Sequence, residues 1–154
     1  MEKDRDFVNN YAFFSEPVPA GNMIATAEET SRFFQMLLDD GRYGDQQIVS
    51  KLAVHRATWE TSPHRLDNTL KVPLRYSAGM MLGGEPFGLF GPHTGSAFGH
   101  LGLINIFAWA DPERDLSVAL LSTGKPLLAH NAPALIQLLR EINNQIPRGR
   151  RTRQ

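Results

Sequence analysis

The sequence predicts an α+β fold, an antiparallel sheet with a C-terminal helix packed on it and further helices beside it, on three observations. Two apolar runs of strand length, Leu103–Ala110 and Leu116–Thr123, flank the polar turn Asp111-Pro-Glu-Arg-Asp115. Runs rich in Ile, Val, Phe and Trp on either side of a turn cluster predict a buried hairpin. Upstream, two stretches carry helix-start chemistry before apolar residues at helical spacing. Downstream, Leu135, Leu138, Leu139, Ile142 and Ile146 recur on one helical face, which predicts a final helix covering the sheet.

Composition bounds the function. With 42% hydrophobic and 21% charged residues, the 154-residue chain is apolar enough to bury a core. Residues 1–146 read as one domain, or a large piece of one, and 147–154 as a basic disordered tail. Sixteen basic and 16 acidic residues cancel, which argues against a general nucleic-acid or membrane-surface binder. The absence of cysteine removes disulfide and thiol chemistry. No stretch has the length and apolarity of a signal-peptide core or a membrane span, so a cytoplasmic product with no membrane partner is expected.

Each element follows from local chemistry. Up to about Gly21 the chain reads as an irregular arm, anchored by Phe7, Tyr11, Phe13 and Phe14 and interrupted by Pro17 and Pro19. Thr26 stands three residues before Glu29, the spacing of a capping box, and Phe33, Phe34, Leu37 and Leu38 follow on one face. That helix should stop near Asp39, with Gly41 in the left-handed closing position. A second helix is expected from Lys51 to Trp59, capped by Ser50 and ended by Pro63. Residues 62–73 are polar and without period, hence a loop. From Leu74 to Leu82 a period-two alternation predicts one strand. The glycine- and proline-rich run 83–95 predicts turns or a short ribbon. Asn131, with Pro133 in the first turn, should start the final helix.

The chemistry gathers at His100-Leu-Gly102, just before the hairpin. That triplet, followed by the hairpin through Trp109-Ala-Asp-Pro-Glu113 and ending in Ser122-Thr-Gly-Lys-Pro126, resembles the C-terminal part of the penicillin-recognising serine hydrolases. This family includes class C β-lactamases and their esterase and lipase relatives. Its Lys-Thr-Gly or His-x-Gly triplet lies on the strand edging the active site, and His in place of Lys is similar to the esterase branch. The resemblance runs from about Val18 to Ile146 and implies a partial β-lactamase/transpeptidase-like fold, with two helices from the helical lobe. It also implies that His100 and Leu101 line a cleft, that Gly102 leaves room for an acyl group and that the Leu103 amide supplies half of an oxyanion hole. A single donor of that kind is worth roughly 3–4 kcal/mol of transition-state stabilisation and cannot replace a nucleophile.

The family's other parts do not match. Tyr11, Tyr43 and Tyr76 are followed two residues on by Phe13, Asp45 and Ala78, so there is no Tyr-x-Asn. The only serine three residues before a lysine is Ser122, in Ser122-Thr-Gly-Lys125, at a strand end where Pro126 bars a regular helix. The Ser122/Lys125 pair therefore reads as a turn. The expectation is a C-terminal portion of a serine hydrolase, carboxylesterase before β-lactamase, inactive without the N-terminal portion of the same hydrolase. The alternative is a non-catalytic β-lactamase-related module acting through a homo-oligomer partner or by complementation. Substrate would be a small-molecule ester or lactam, and no cofactor is expected. A triad of Ser96, either His93 or His100, and Asp111 lacks the Gly-x-Ser-x-Gly elbow. The histidines lack the ligand spacing of a zinc site, so no metal is expected.

Overall fold

The computed structural model describes residues 10–18, 21–102, 106–122 and 128–149, without the side chains of 128–132. Leu103, Lys125 and residues 150–154 therefore lie outside the described residues. In chain order the elements begin with α1 (Tyr11–Ser15), α2 (Ala27–Leu38), β1 (Arg42–Tyr43), β2 (Gln46–Gln47) and α3 (Lys51–Thr58). They continue with β3 (Glu60–Leu66), β4 (Pro73–Ser77), β5 (Met81–Leu82), β6 (Phe87–Gly88) and β7 (Gly91–Pro92). The chain then forms β8 (Phe98–Leu101), β9 (Phe107–Asp111), β10 (Leu116–Leu120) and α4 (Leu128–Gln145).

A six-stranded antiparallel sheet carries the fold, in the order β10-β9-β8-β5-β4-β3. It is larger than the hairpin alone predicts. Because side chains alternate between faces, its registers sort residues into two layers. Leu82, Phe98, Ala108 and Ala110 face one side, where Phe34, Leu37 and Leu38 of α2 and Val54 of α3 cover them. Leu74, Met81, Leu101, Phe107 and Trp109 face the other, where Leu139 of α4 and Phe90 cover them. Trp109 is fully buried and stacks on Phe90 with ring centroids 5.6 Å apart.

Several elements follow their local signals. Thr26 Oγ1 accepts from the Glu29 amide at 3.2 Å and the Glu29 carboxylate accepts from the Thr26 amide at 2.8 Å, the reciprocal capping box. These bonds hold the Glu29 carboxyl below the usual carboxylate range. Ser50 Oγ caps α3 by accepting from Ala53 N–H. At the end of α2 the left-handed position falls on Asp40 (φ 56°) as well as on Gly41 (φ 84°). The Asp40 and Gly41 amides donate to the carbonyls of Leu37 and Met36, closing the last turn. Gly41 is required by space too, since a Cβ there would stand 2.0 Å from the Val49 carbonyl oxygen.

Other expectations are corrected. Residues 62–73 are not one loop: β3 occupies Glu60–Leu66 and pairs with β4. It is an edge strand, six of its seven residues exposed, so it shows no apolar alternation. Pro63, expected to end a helix, lies inside it near register shifts, a place where an edge strand tolerates the missing N–H. The single strand expected over 74–82 is two short ones, because Ser77 turns the chain. Its Oγ accepts from Met80 N–H and itself donates to the carbonyl of Ala57 in α3. The hairpin's second strand ends at Leu120, and Asp111 belongs to β9, not to the turn. The arm contains the short helix α1, with Asn10 as its cap.

α4 begins at Leu128, ahead of Asn131, and places Pro133 inside the helix. Of its expected stripe, Leu139 is buried and Leu135 and Ile142 pack on the core, but Leu138 is 46% exposed. Phe33 in α2 is likewise exposed, meeting Phe34 edge-on. The tail is fastened where it is described: Arg148 pairs with Glu85 at 3.3 Å and Glu113 at 3.2 Å, and Gly149 N–H donates to the Glu113 carbonyl. No helix among the described residues is long and apolar enough to cross a membrane.

Candidate functional site

β8 places the expected triplet. Phe98, Gly99 and Leu101 are buried while His100 is exposed, although the strand lies between two others. Alternation sets His100 on the α2 side of the sheet with Phe98. Across the strands the registers align Ser77, Met80, His100, Ala108 and Ala119 in one row, pairing His100 with Ala108 directly and Met80 by extension of the β5–β8 pairing. Met80 and Ala119 are half-buried against the α2 core. His100 thus rises from a shelf of small and apolar side chains and is the only titratable group on that row between Ser77 and Ala119.

Its protonation is directed by the backbone. Nδ1 lies 2.8 Å from the Leu101 carbonyl oxygen. A carbonyl only accepts, so Nδ1 carries the proton of the bond, and in the neutral ring Nε2 is left with a lone pair. The side chain therefore offers an acceptor on the open face of the sheet. Leu101 does not share that face. Its side chain is buried on the α4 side, beside Phe107 and Leu139, so only its backbone borders His100.

Gly102 ends the strand. Its N–H donates to the Ile106 carbonyl at 2.6 Å, closing the β8–β9 hairpin. That amide is committed and is not free for a substrate oxygen. A Cβ on Gly102 would meet the Ile106 Cβ at 3.1 Å, so the glycine permits close packing of the hairpin mouth. Ser122 is exposed beyond the end of β10. Its expected partner Lys125, like Leu103, lies outside the described residues.

The alternative triad does not assemble. Asp111 is fully buried, accepts from Arg114 at 2.6 Å and receives the Glu113 amide at 3.0 Å, so it builds the β9–β10 turn. His93 Nδ1 is 2.9 Å from the Glu85 carboxylate instead. That hydrogen bond, with the nearby Arg148, holds the Glu85 carboxyl below its usual range. Ser96 Oγ is buried with no hydrogen-bond partner among the described residues. Among those residues no group of three or more His, Cys, Asp or Glu could hold a metal ion.

The residues that shape the surroundings of His100 escaped the sequence reading because only register finds them. Met80 and Ala108 are its lateral neighbours, and Ser77 ties their row to the end of α3. Arg75 braces the same face further along β4, where it pairs with Glu60 at 2.7 Å and donates to the carbonyls of Gly83 and Gly95. The Arg75 bond lowers the Glu60 carboxyl below its usual range.

Comparison with known proteins gives three kinds of finding. A family model described as Beta-lactamase matches residues 2–141. The Esterase/beta-lactamase LipL of Mycobacterium tuberculosis (strain ATCC 25618 / H37Rv) is 31% identical over 103 residues, covering 67% of this chain and 23% of that protein. Among solved structures, a penicillin-binding protein homolog from Caulobacter crescentus is similar with a TM-score of 0.70 and 26% identity, over 87% of this chain and 36% of the other. A family VIII carboxylesterase is similar in fold with a TM-score of 0.66 and 23% identity, over 86% of this chain and 36% of the other. The chain thus spans about a quarter of the length of the curated relative and about a third of these structures.

Proposed function

The chain belongs to the beta-lactamase family, and from that premise we propose that it is the C-terminal portion of a serine hydrolase that cleaves small carboxylic esters. In this reading His100 and Gly102 form one wall of the cleft, and Leu103 supplies one amide of the oxyanion hole. Nucleophile and general base come from an N-terminal portion of the same hydrolase, because the chain's one Ser-x-x-Lys is the strand-end Ser122/Lys125 pair and it has no Tyr-x-Asn. The chain alone is inactive.

The observation that carries this reading is His100 itself: exposed, on a strand whose other residues are buried, with its Nδ1 held by the Leu101 carbonyl. An imidazole in place of lysine removes the fixed positive charge that a lysine would offer to a β-lactam carboxylate. That difference favours neutral esters. The carboxylesterase among the similar structures supports the same lean.

The test is hydrolysis of a chromogenic short-chain ester by the purified chain, with Ser122→Ala and His100→Ala variants and a serine-directed phosphonate label. No turnover and no label are expected from the chain alone. Activity should appear when a polypeptide bearing Ser-x-x-Lys and Tyr-x-Asn is co-expressed, and fall in His100→Ala. Turnover by the chain alone that vanishes in Ser122→Ala would refute the proposal. A completed enzyme that opened penicillins faster than it cleaved esters would refute the ester assignment.

A second reading is favoured by one feature, the edge strand β10. Among the described residues it ends the sheet with no strand on its outer side, and Leu116-Ser-Val-Ala-Leu120 carries no charge, proline or bulge to guard that edge. The same edge suits the missing portion of the hydrolase or a second copy of this chain. Sedimentation separates the two: a concentration-dependent dimer without complementation supports a non-catalytic oligomer.

A further inference from the structure

On the side of the sheet away from His100 lies a cavity of about 490 Å³ lined only by apolar residues and glycine. Leu74, Leu101 and Phe107 form its floor. Leu135, Ile136 and Leu139 of α4 form one wall, and Val72 and Phe87 stand across from them. It opens to solvent beside Val72, Phe87 and Ile136, each between 42% and 53% exposed. A three-sided apolar cavity of this size is in the range that holds small ligands. Few polar atoms line it, so it favours hydrocarbon over water.

Two further observations narrow the ligand. First, α4 is fastened at one end. Among the described residues its hydrogen bonds to the rest of the chain fall at or beyond Asn143: Asn143 Nδ2 donates to the Phe90 carbonyl, Arg114 to the Ile146 carbonyl, and Gly149 N–H to the Glu113 carbonyl. The lining turns, from Leu135 to Leu139, lie before that anchor and are held by apolar packing, with Leu139 buried and Leu135 half-buried. Second, the rim carries a cation. Lys71 sits at a left-handed turn (φ 58°) between Leu70 and Val72, both of which line the cavity. It is exposed and makes no close ion pair among the described residues, although, after the hydrogen bonds from Leu70 and Tyr76, its charge helps to lower the nearby Asp67 carboxyl. The nearby Asp67 carboxylate already accepts from Thr69 N–H, Leu70 N–H and the Tyr76 hydroxyl.

We propose that this cavity binds the alkyl chain of a medium-length aliphatic carboxylate, with its head group at Lys71. At about 30 Å³ for a water-sized unit, a chain of about ten carbons needs roughly 300 Å³, which fits within the 490 Å³ of the cavity. The site is separate from the ester-hydrolysis reading, and its test reads binding alone.

Isothermal titration of the 154-residue chain with hexanoate, octanoate and decanoate tests it. Each added methylene should tighten binding by about fourfold. Ile136→Trp and Val72→Phe, which fill the cavity from opposite walls at exposed positions, should each weaken decanoate on the order of tenfold. Lys71→Gln should weaken decanoate about two- to fivefold and leave decanol unchanged. No saturable binding of decanoate, or affinity flat across the series, overturns the proposal without any variant. Filled variants that melt like the parent yet bind as tightly place the chain elsewhere and overturn it too. Equal effects of Lys71→Gln on decanoate and decanol overturn the head-group assignment.

Discussion

Gly99→Ala is the sharpest test of how the sheet presents His100. Gly99 pairs with Trp109 across β8 and β9. A Cβ added there would lie 2.2 Å from the Ala108 carbonyl oxygen and 2.5 Å from the Trp109 Cα and Cβ. Carbon atoms pack at about 3.5–4 Å, so the two strands must part by roughly 1 Å, and the obstacle is backbone and not a movable side-chain end. Overpacking of this kind costs about 1–3 kcal/mol, and a backbone obstacle belongs at the upper end. The reduced freedom of alanine in the unfolded chain returns about 0.4–1 kcal/mol. The net, about 2 kcal/mol, should lower the melting temperature by about 4–8 °C for a chain of this size.

Gly102→Ala is the control. Its Cβ would meet only the Ile106 side chain closely, at 3.1 Å, with the Ile106 carbonyl oxygen at 3.6 Å. A shift of a few tenths of an ångström relieves that contact, so the melting temperature should move by less than about 2 °C. Thermal melts followed by circular dichroism compare the two variants with the parent. A Gly99→Ala protein that melts within about 2 °C of the parent, or a Gly102→Ala protein equally damaged, would refute the strand-approach reasoning.

Three further outcomes follow from the packing. Asp111→Ala leaves the Arg114 side chain, 4% exposed, without its 2.6 Å partner, and should cost about 3–5 kcal/mol in urea unfolding; replacing both residues with apolar ones should recover part of that loss. Thr26→Ala removes the capping box of α2 and should cost about 1 kcal/mol in the same assay, with Ser at that position restoring it. Burial, and then its bond to Asp67, pushes the Tyr76 hydroxyl up to about 12 from 10.0. A pKa raised on folding stabilises fully below the unfolded value and ceases to do so above the folded one. The melting temperature should therefore fall between pH 10.0 and about 12, and Tyr76→Phe should flatten that fall. An unchanged alkaline slope in the variant would assign it to other groups.

The contrast between what was legible and what was not is physical. Thr26, Glu29 and Ser50 announced their helices because a cap is made within three residues of the side chain that makes it. The hairpin around Asp111 announced itself because β9 is buried, β10 is half-buried beside it and the turn between them is short. β3 did not, since an exposed edge strand needs no apolar pattern to pair. Nor did the break between β4 and β5, which depends on Ser77 reaching α3, 20 residues away in sequence. At the candidate site the His100-Leu-Gly102 motif was legible as chemistry. The burial of Leu101 on the opposite face and the commitment of the Gly102 amide to Ile106 were not.

By itself, then, the sequence determined the capped helices, the hairpin and the family resemblance, because these rest on motifs and on interactions between near neighbours along the chain. Only the tertiary structure decided the strand order β10-β9-β8-β5-β4-β3, the row of Ser77, Met80 and Ala108 on which His100 stands, and the apolar cavity beneath α4. Each of those requires segments distant in sequence to meet in one register. Side-chain alternation along a strand says which residues share a face, but only pairing with another strand says what they face beside them.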